Sequence, residues 1–255
     1  MIRELLTHPL MRGRLLDDPE TTQARKKFIR QKKFLEKIYK EWYGLIRVEL
    51  GFTTGIVLEL GSGAGFLDEF IPNLIKTEVF YLADMDAILD AGKLPLKNKS
   101  FSAIVMSDVF HHLPKQRDFL NEVIRVLPRG GKVVMIEPWV SRWSRWVYPH
   151  FHNESFDPQV KNWEFPSTGP LSGSNQALPW IVFERDRKLF EDEFPELLIK
   201  KIQPLMPFRY LVSGGVSLRS FMPGWSFGFW NWMEKLLTRK IELWAMFALI
   251  VIEKV

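Results

Sequence analysis

The sequence predicts an α/β fold, a mostly parallel sheet with helices on both faces, and three observations carry the prediction. Apolar runs at 56–60, 74–79, 101–106 and 132–137 are too continuous for strands with one wet face and suit strands buried on both. Between the last two, Phe119, Leu120, Val123, Val126 and Leu127 recur at helical spacing. After the first run, Gly61, Gly63 and Gly65 stand on alternate positions, where a strand turns toward a helix and its backbone can approach a ligand closely.

Residues 1–23 read as an irregular lead-in broken by Pro9, Gly13 and Pro19. From 24 to 46, Phe28, Leu35, Ile38, Trp42 and Leu45 mark one amphipathic helix. Its stretch 24–43 holds eight Lys/Arg against Glu36 and Glu41, so it carries +6 of a chain whose net charge is +5, leaving −1 elsewhere. That local basicity argues against a general nucleic-acid binder. It suits either a solvated helix face or attraction to anionic lipid. The strand at 56–60 carries Glu59, a costly carboxylate unless it has a partner. Leu67, Phe70 and Ile71 predict a helix after the glycine turn, stopped by Pro72. The second strand ends near Glu78, with Asp84 a few residues on, and 101–106 ends in Ser-Asp-Val-Phe-His-His-Leu-Pro. Ligands in such sheets lie beyond the carboxyl ends of strands, which puts Asp108, His111 and His112 on the functional edge. The helix at 115–127 turns through Pro128-Arg-Gly-Gly131 into 132–137. Further on, the spacing predicts a helix at 180–190, a strand at 197–202, a helix at 233–239 and a closing strand at 243–252. The Ser/Gly/Pro-rich stretch ending at Ser174 lies in a long irregular segment of the kind that serves as a substrate lid.

A dinucleotide fingerprint would need glycine at Phe66, and no Gly-Lys-Ser/Thr follows for a phosphate loop. Instead Leu-Glu-Leu-Gly-Ser-Gly-Ala-Gly at 58–65 resembles motif I of class I S-adenosylmethionine (SAM)-dependent methyltransferases. Asp90-Ala-Gly-Lys-Leu-Pro-Leu with Ser-Phe-Ser, and Arg-Val-Leu-x-x-Gly-Gly before a strand ending Glu-Pro, resemble that family's later motifs. The likeness is to the methyltransferase type 11-like group, which includes quinone-biosynthesis enzymes. It implies a Rossmann-like seven-stranded, mostly parallel sheet with SAM as cofactor. It also implies that Gly61, Ser62, Gly63 and Gly65, supported by Glu59, lie against the methionine part. Glu78 or Asp84 would take the ribose hydroxyls; Glu78 is preferred because it closes the apolar run. Asp90 would hold the adenine amino group beside Ala91, and Asp108 would complete the cofactor site. The crossover between 79 and 86 is too short for the helix and strand the family usually inserts.

The expected organisation is a lead-in and basic helix at 1–47, a core at 48–138 and 241–255, and a lid with the remaining strands at 139–240. The expected reaction is methyl transfer to a small-molecule or lipid-linked acceptor, with a hydroxyl as target and His111, His112 or His152 as candidate bases. A protein that keeps this fold but only binds a membrane surface is the alternative. His150, His152 and Glu154 form His-x-His-x-Glu, but nothing completes a ligand set, so no metal is expected. The chain has no cysteine, no leader-like start and no apolar run near 20 residues, which predicts a cytoplasmic protein. Arginine-flanked Trp143, Trp146 and Tyr148, with Trp225, Trp230 and Trp232, add peripheral contact with the inner face of the membrane. The oligomeric state is left open.

Overall fold

One sheet organises the chain in a computed structural model that describes residues 7–11, 13–15, 17–152, 154–166, 169 and 173–255. Parts of the lead-in and of the Ser/Gly/Pro-rich lid segment lie outside those residues. The strands are β1 (Val57–Glu59), β2 (Leu74–Glu78), β3 (Ala87–Ile88), β4 (Ala103–Ser107), β5 (Lys132–Pro138), β6 (Leu197–Leu205) and β7 (Phe247–Lys254). Their order is β3-β2-β1-β4-β5-β7-β6. The first five run parallel, and β7 enters antiparallel between β5 and β6, pairing with β5 from Lys132↔Glu253 to Pro138↔Phe247. This is the Rossmann-like seven-stranded sheet that the motifs implied.

The helices long enough to label are α1 (Pro19–Gln31), α2 (Lys33–Leu50), α3 (Gln116–Val126), α4 (Ser144–Phe151), α5 (Arg187–Glu193), α6 (Arg209–Ser213) and α7 (Phe227–Leu236). On one face of the sheet, Phe119, Leu120 and Val123 of α3 pack with Leu178, Ile181 and Phe183. On the other, Ile38, Trp42 and Ile46 of α2 pack with Val57, Val105, Val134 and Ile136.

Four differences from the sequence pattern stand out. No α-helix follows the glycine turn, only a 3-10 turn, Leu67–Glu69. Just eight residues, 66–73, join the turn to β2, and Pro72 lacks the N–H that a further turn needs. The amino-terminal helix α2 covers that part of the sheet instead. Its Trp42 stacks on Tyr210 at 5.7 Å and touches the Phe247 ring at 4.9 Å, while Tyr43 Oη accepts the Phe66 N–H at 3.3 Å. The basic helix, in turn, is two helices broken at Lys32 (φ −84°, ψ 86°). Lys32 is buried there, and its Nζ donates to Gly215 O at 2.6 Å and Leu218 O at 3.0 Å. The stretch predicted as a helix at 180–190 divides into a π-turn, Ile181–Arg185, and α5. The carboxyl-terminal strand starts later than its apolar run, because Ile241–Trp244 forms a helical turn.

Candidate active site

A cavity of about 310 Å³ opens at the carboxyl ends of β1 to β4, where the topology of an open α/β sheet places ligands. Gly61 and Gly63 turn the chain out of β1 with φ of +65° and +44°. A Cβ at Gly61 would lie 2.6 Å from Val109 Cγ2, so packing requires that glycine. At Gly63 a Cβ would meet only Glu78 Oε2 at 3.4 Å and looser neighbours, so this glycine faces the cavity. Glu59 lies buried behind the turn, pushed up to about 7 by burial, with the Ser62 hydroxyl bond opposing the shift. The partner that its apolar strand demanded is therefore the loop it supports.

Glu78 ends β2 inside the cavity, and one of its oxygens accepts the Val79 N–H at 2.8 Å. Burial raises its pKa, opposed by the backbone N–H groups of Val79 and Gly63. Asp84 lies elsewhere: it is exposed, ion-paired with Lys26 and outside the cavity, so of the two carboxylates Glu78 is the one that lines it. The Lys26 ammonium holds Asp84 below the usual carboxylate range. Glu78→Gln is expected to weaken SAM binding by about 1–3 kcal/mol in calorimetry and Asp84→Asn to change it little. A reversed order would put the ribose on the other carboxylate. Asp90 sits at the rim, its Oδ1 accepting the Gly92 N–H at 2.8 Å, with Ala91 buried beside it.

At the end of β4 the chain reverses through Asp108, which takes φ +65°, a left-handed conformation that costs a non-glycine residue about 1–2 kcal/mol. Glu137 of β5 enforces the reversal. Fully buried, it accepts the N–H groups of Val109 and Phe110, both at 2.8 Å, and its other oxygen lies 2.9 Å from His111 Nδ1. His111 Nε2 lies 3.2 Å from Glu154, and Asp108 Oδ1 is 4.0 Å from the ring. Burial works against a charge on His111, yet Glu137, Glu154 and Asp108 hold its pKa well above the usual histidine value. A carboxylate at each ring nitrogen favours the charged ring and leaves neither nitrogen free to take a substrate proton. His112 is the reverse case: burial and the neighbouring His111 charge push it down to about 3. It stays neutral but is too weakly basic for a proton-abstracting role near pH 7. The Gln176 amide donates to Glu154 at 2.9 Å and to His152 Nδ1 at 2.7 Å, which places the proton of a neutral His152 on Nε2. His111, His112 and Glu154 bring ligand atoms within 4.8 Å of one another, a spacing that the His111 ring's hydrogen bonds already account for. The His-x-His-x-Glu pattern does not assemble, since His150 stacks on Trp146 at 5.1 Å away from Glu154.

Two cavity carboxylates are pushed up to about 7, Glu59 and Asp108, but Glu59 lies buried behind the glycine turn, whereas Asp108 is the more accessible of the two. Its carboxyl is 28% accessible, but to a cavity walled by protein. It is pushed up to about 7, by burial first and then by Glu154 and Glu137, against the opposing His111 charge.

The sequence reading missed the contribution of α1. Thr22 and Arg25 line the cavity, and Thr22 Oγ1 and Arg25 Nε are buried without a hydrogen-bond partner among the described residues. So is Ser107 Oγ, also in the lining. No signal in the run of eight basic residues marks the one that lines the cavity.

A family model described as a methyltransferase domain matches residues 82–135, the approach to β3 through most of β5. Residues 82–135 thus form part of a methyltransferase domain. No curated protein matches this methyltransferase in sequence. Among solved structures, a SAM-dependent methyltransferase from Thermotoga maritima superposes with a TM-score of 0.53 at 15% identity, over 93% of this chain and 97% of that one. A chain from the Haloferax volcanii complex between the Trm112 methyltransferase activator and a methyltransferase gives 0.51 at 10%, over 94% and 99%. At such identities both likenesses show the fold. The cavity of this methyltransferase fits SAM: a glycine that admits a ligand at Gly63, an acceptor-only carboxylate at Glu78 and buried polar atoms on Thr22, Arg25 and Ser107 that await partners.

Proposed function

We propose that this methyltransferase acts on a hydroxyl of a small or lipid-like acceptor and that Asp108 is the base. The observation that carries the reading is Asp108 itself, held in a strained turn, facing the cavity, with a pKa of about 7. An amine with a free lone pair needs no base, whereas a hydroxyl gains from one whose pKa matches the working pH. SAM, when bound, supplies an electrophilic methyl group on a sulfonium. In this reading Glu78 accepts from the ribose hydroxyls, Asp90 and Ala91 border the adenine, and Arg25 and Thr22 meet the amino-acid end, where a guanidinium suits a carboxylate. Gly61, Ser62, Gly63 and Gly65 bring the backbone against the same end. Much of the rate then comes from holding the acceptor oxygen about 3 Å from the methyl carbon. Glu137 has no part in substrate contact, because all its bonds go to the turn that aims Asp108.

Calorimetry is expected to show binding of SAM and S-adenosylhomocysteine and none of NAD. Gly63→Val fills the open side of the turn and should abolish that binding while the far-UV spectrum is kept. Untargeted profiling of a deletion strain should then reveal an unmethylated compound lighter by one methylene that the purified enzyme converts. Conversion of an amine in place of an alcohol or phenol would overturn the hydroxyl reading.

A further inference from the structure

We propose that the outward face of α7 docks the protein on an anionic lipid bilayer, peripherally and reversibly. The sequence pointed to the amino-terminal basic helix together with Trp143, Trp146, Tyr148, Trp225, Trp230 and Trp232 for this role; on the helix, Lys32 is buried, Lys26 and Arg30 are engaged by Asp84 and Glu69, and Glu36 takes Lys33 and Lys40. The α7 region is built differently. Trp225, Phe229, Trp232 and Leu236 follow one another at steps of four, three and four, and each is more than half exposed (84%, 57%, 55% and 61%). That spacing puts Phe229, Trp232 and Leu236 on a single face of α7, with Trp225 exposed in the 3-10 turn, Gly224–Ser226, that leads into it.

The helix cannot turn this face inward. Its other side is fastened by Phe227, packed on Phe34 with ring centroids 5.2 Å apart, and by Glu234, which accepts the N–H groups of Phe208 and Arg209 and pairs with the Arg209 guanidinium. Charge complementarity selects the occupant. From Arg219 to Glu242 the acidic residues are Glu234, which is buried, and Glu242, which is exposed at the far end, whereas Arg219, Lys235, Arg239 and Lys240 are all exposed. Lys37 adds another cation where α2 meets the start of this region, donating to Gly224 O at 2.8 Å. Large exposed aromatics in a segment with an excess of exposed cations over exposed carboxylates suit the interface of an anionic bilayer. A symmetric second copy would set these cations against their own images. No helix among the described residues is long and apolar enough to cross a membrane, so contact is confined to the surface. The cavity-lining stretch 214–218 leads directly into Phe221, whose N–H donates to Val212 O at 3.1 Å, so the docked face adjoins a wall of the site.

The chain has no cysteine, so a single introduced cysteine can be labelled cleanly. An environment-sensitive fluorophore on Trp232→Cys is expected to shift to the blue with phosphatidylcholine vesicles containing phosphatidylglycerol. The same label on Leu189→Cys, on α5 across the sheet, should not respond. High salt should weaken the effect. Trp225→Ala with Phe229→Ala should reduce vesicle co-sedimentation on the order of tenfold or more while SAM binding is retained. No shift at position 232 at low salt, equal binding to pure phosphatidylcholine, or a shift that grows with protein concentration without vesicles would each overturn the proposal. Vesicle binding is read without turnover, so the result stands apart from the acceptor assignment.

Discussion

Asp108→Asn is expected to lower kcat by roughly 10²–10⁴-fold, the range for loss of a positioned base, with SAM affinity changed far less. The shape of the pH profile is the sharper reading. A carboxylate raised to about 7 by burial is protonated, and inactive as a base, below that value. In the native enzyme kcat/KM should therefore climb with pH up to about 7 and level off above it. The Asn variant should lose that inflection and keep a low, flat rate. An unchanged inflection in the variant would assign the titration to another group and remove Asp108 from the base role. Of the histidines, His111 is already protonated and His112 is pushed down to about 3, so neither can supply an inflection near 7.

Glu137→Leu should destabilise the fold by about 3–5 kcal/mol in denaturant titration, because it removes one of the two carboxylates bonded to the buried His111 ring and the acceptor of the Val109 and Phe110 N–H groups at once. Glu137→Gln keeps an acceptor of the same shape and should cost less. The pH dependence has a definite sign. His111 has a native pKa well above its unfolded value of about 6.5, so its pairing contributes fully below that pH and is lost as pH rises through the native value. Removing the Glu137 charge lowers the native value. The difference in melting temperature between Glu137→Gln and the native protein should therefore be largest below about pH 6.5 and shrink as alkali deprotonates His111 in both. A constant difference from acid to alkali would show that Glu137 acts only as an acceptor for the turn.

The local chemistry of the site was legible in order along the chain. Glu59, the three glycines, Glu78, Asp90, Ala91 and Asp108 each follow the end of an apolar run, and in a parallel sheet those ends share one edge. Glu154, in contrast, lies 43 residues beyond His111 in a segment without periodicity, so no spacing rule announces their contact. His-x-His-x-Glu looked like a local set, but His150 on α4 stacks on Trp146, whereas Glu154, beyond the end of that helix, meets a different pair of histidines.

The sequence by itself determined the sheet's parallel core and its ligand edge, because buried strands need unbroken apolar runs and close approach to a ligand needs glycine. Tertiary structure decided which charges face inward. Identical basic residues in one run end as a buried anchor at Lys32, a cavity-lining group at Arg25 and a surface ion pair at Lys26. It also decided that α2 covers the sheet where the glycine turn lacks room for a helix, and that the α7 aromatics stay outside. The reason is that helical spacing says which residues share a face, whereas the orientation of that face is set by distant partners such as Glu234 with Arg209, whose pairing no local pattern encodes.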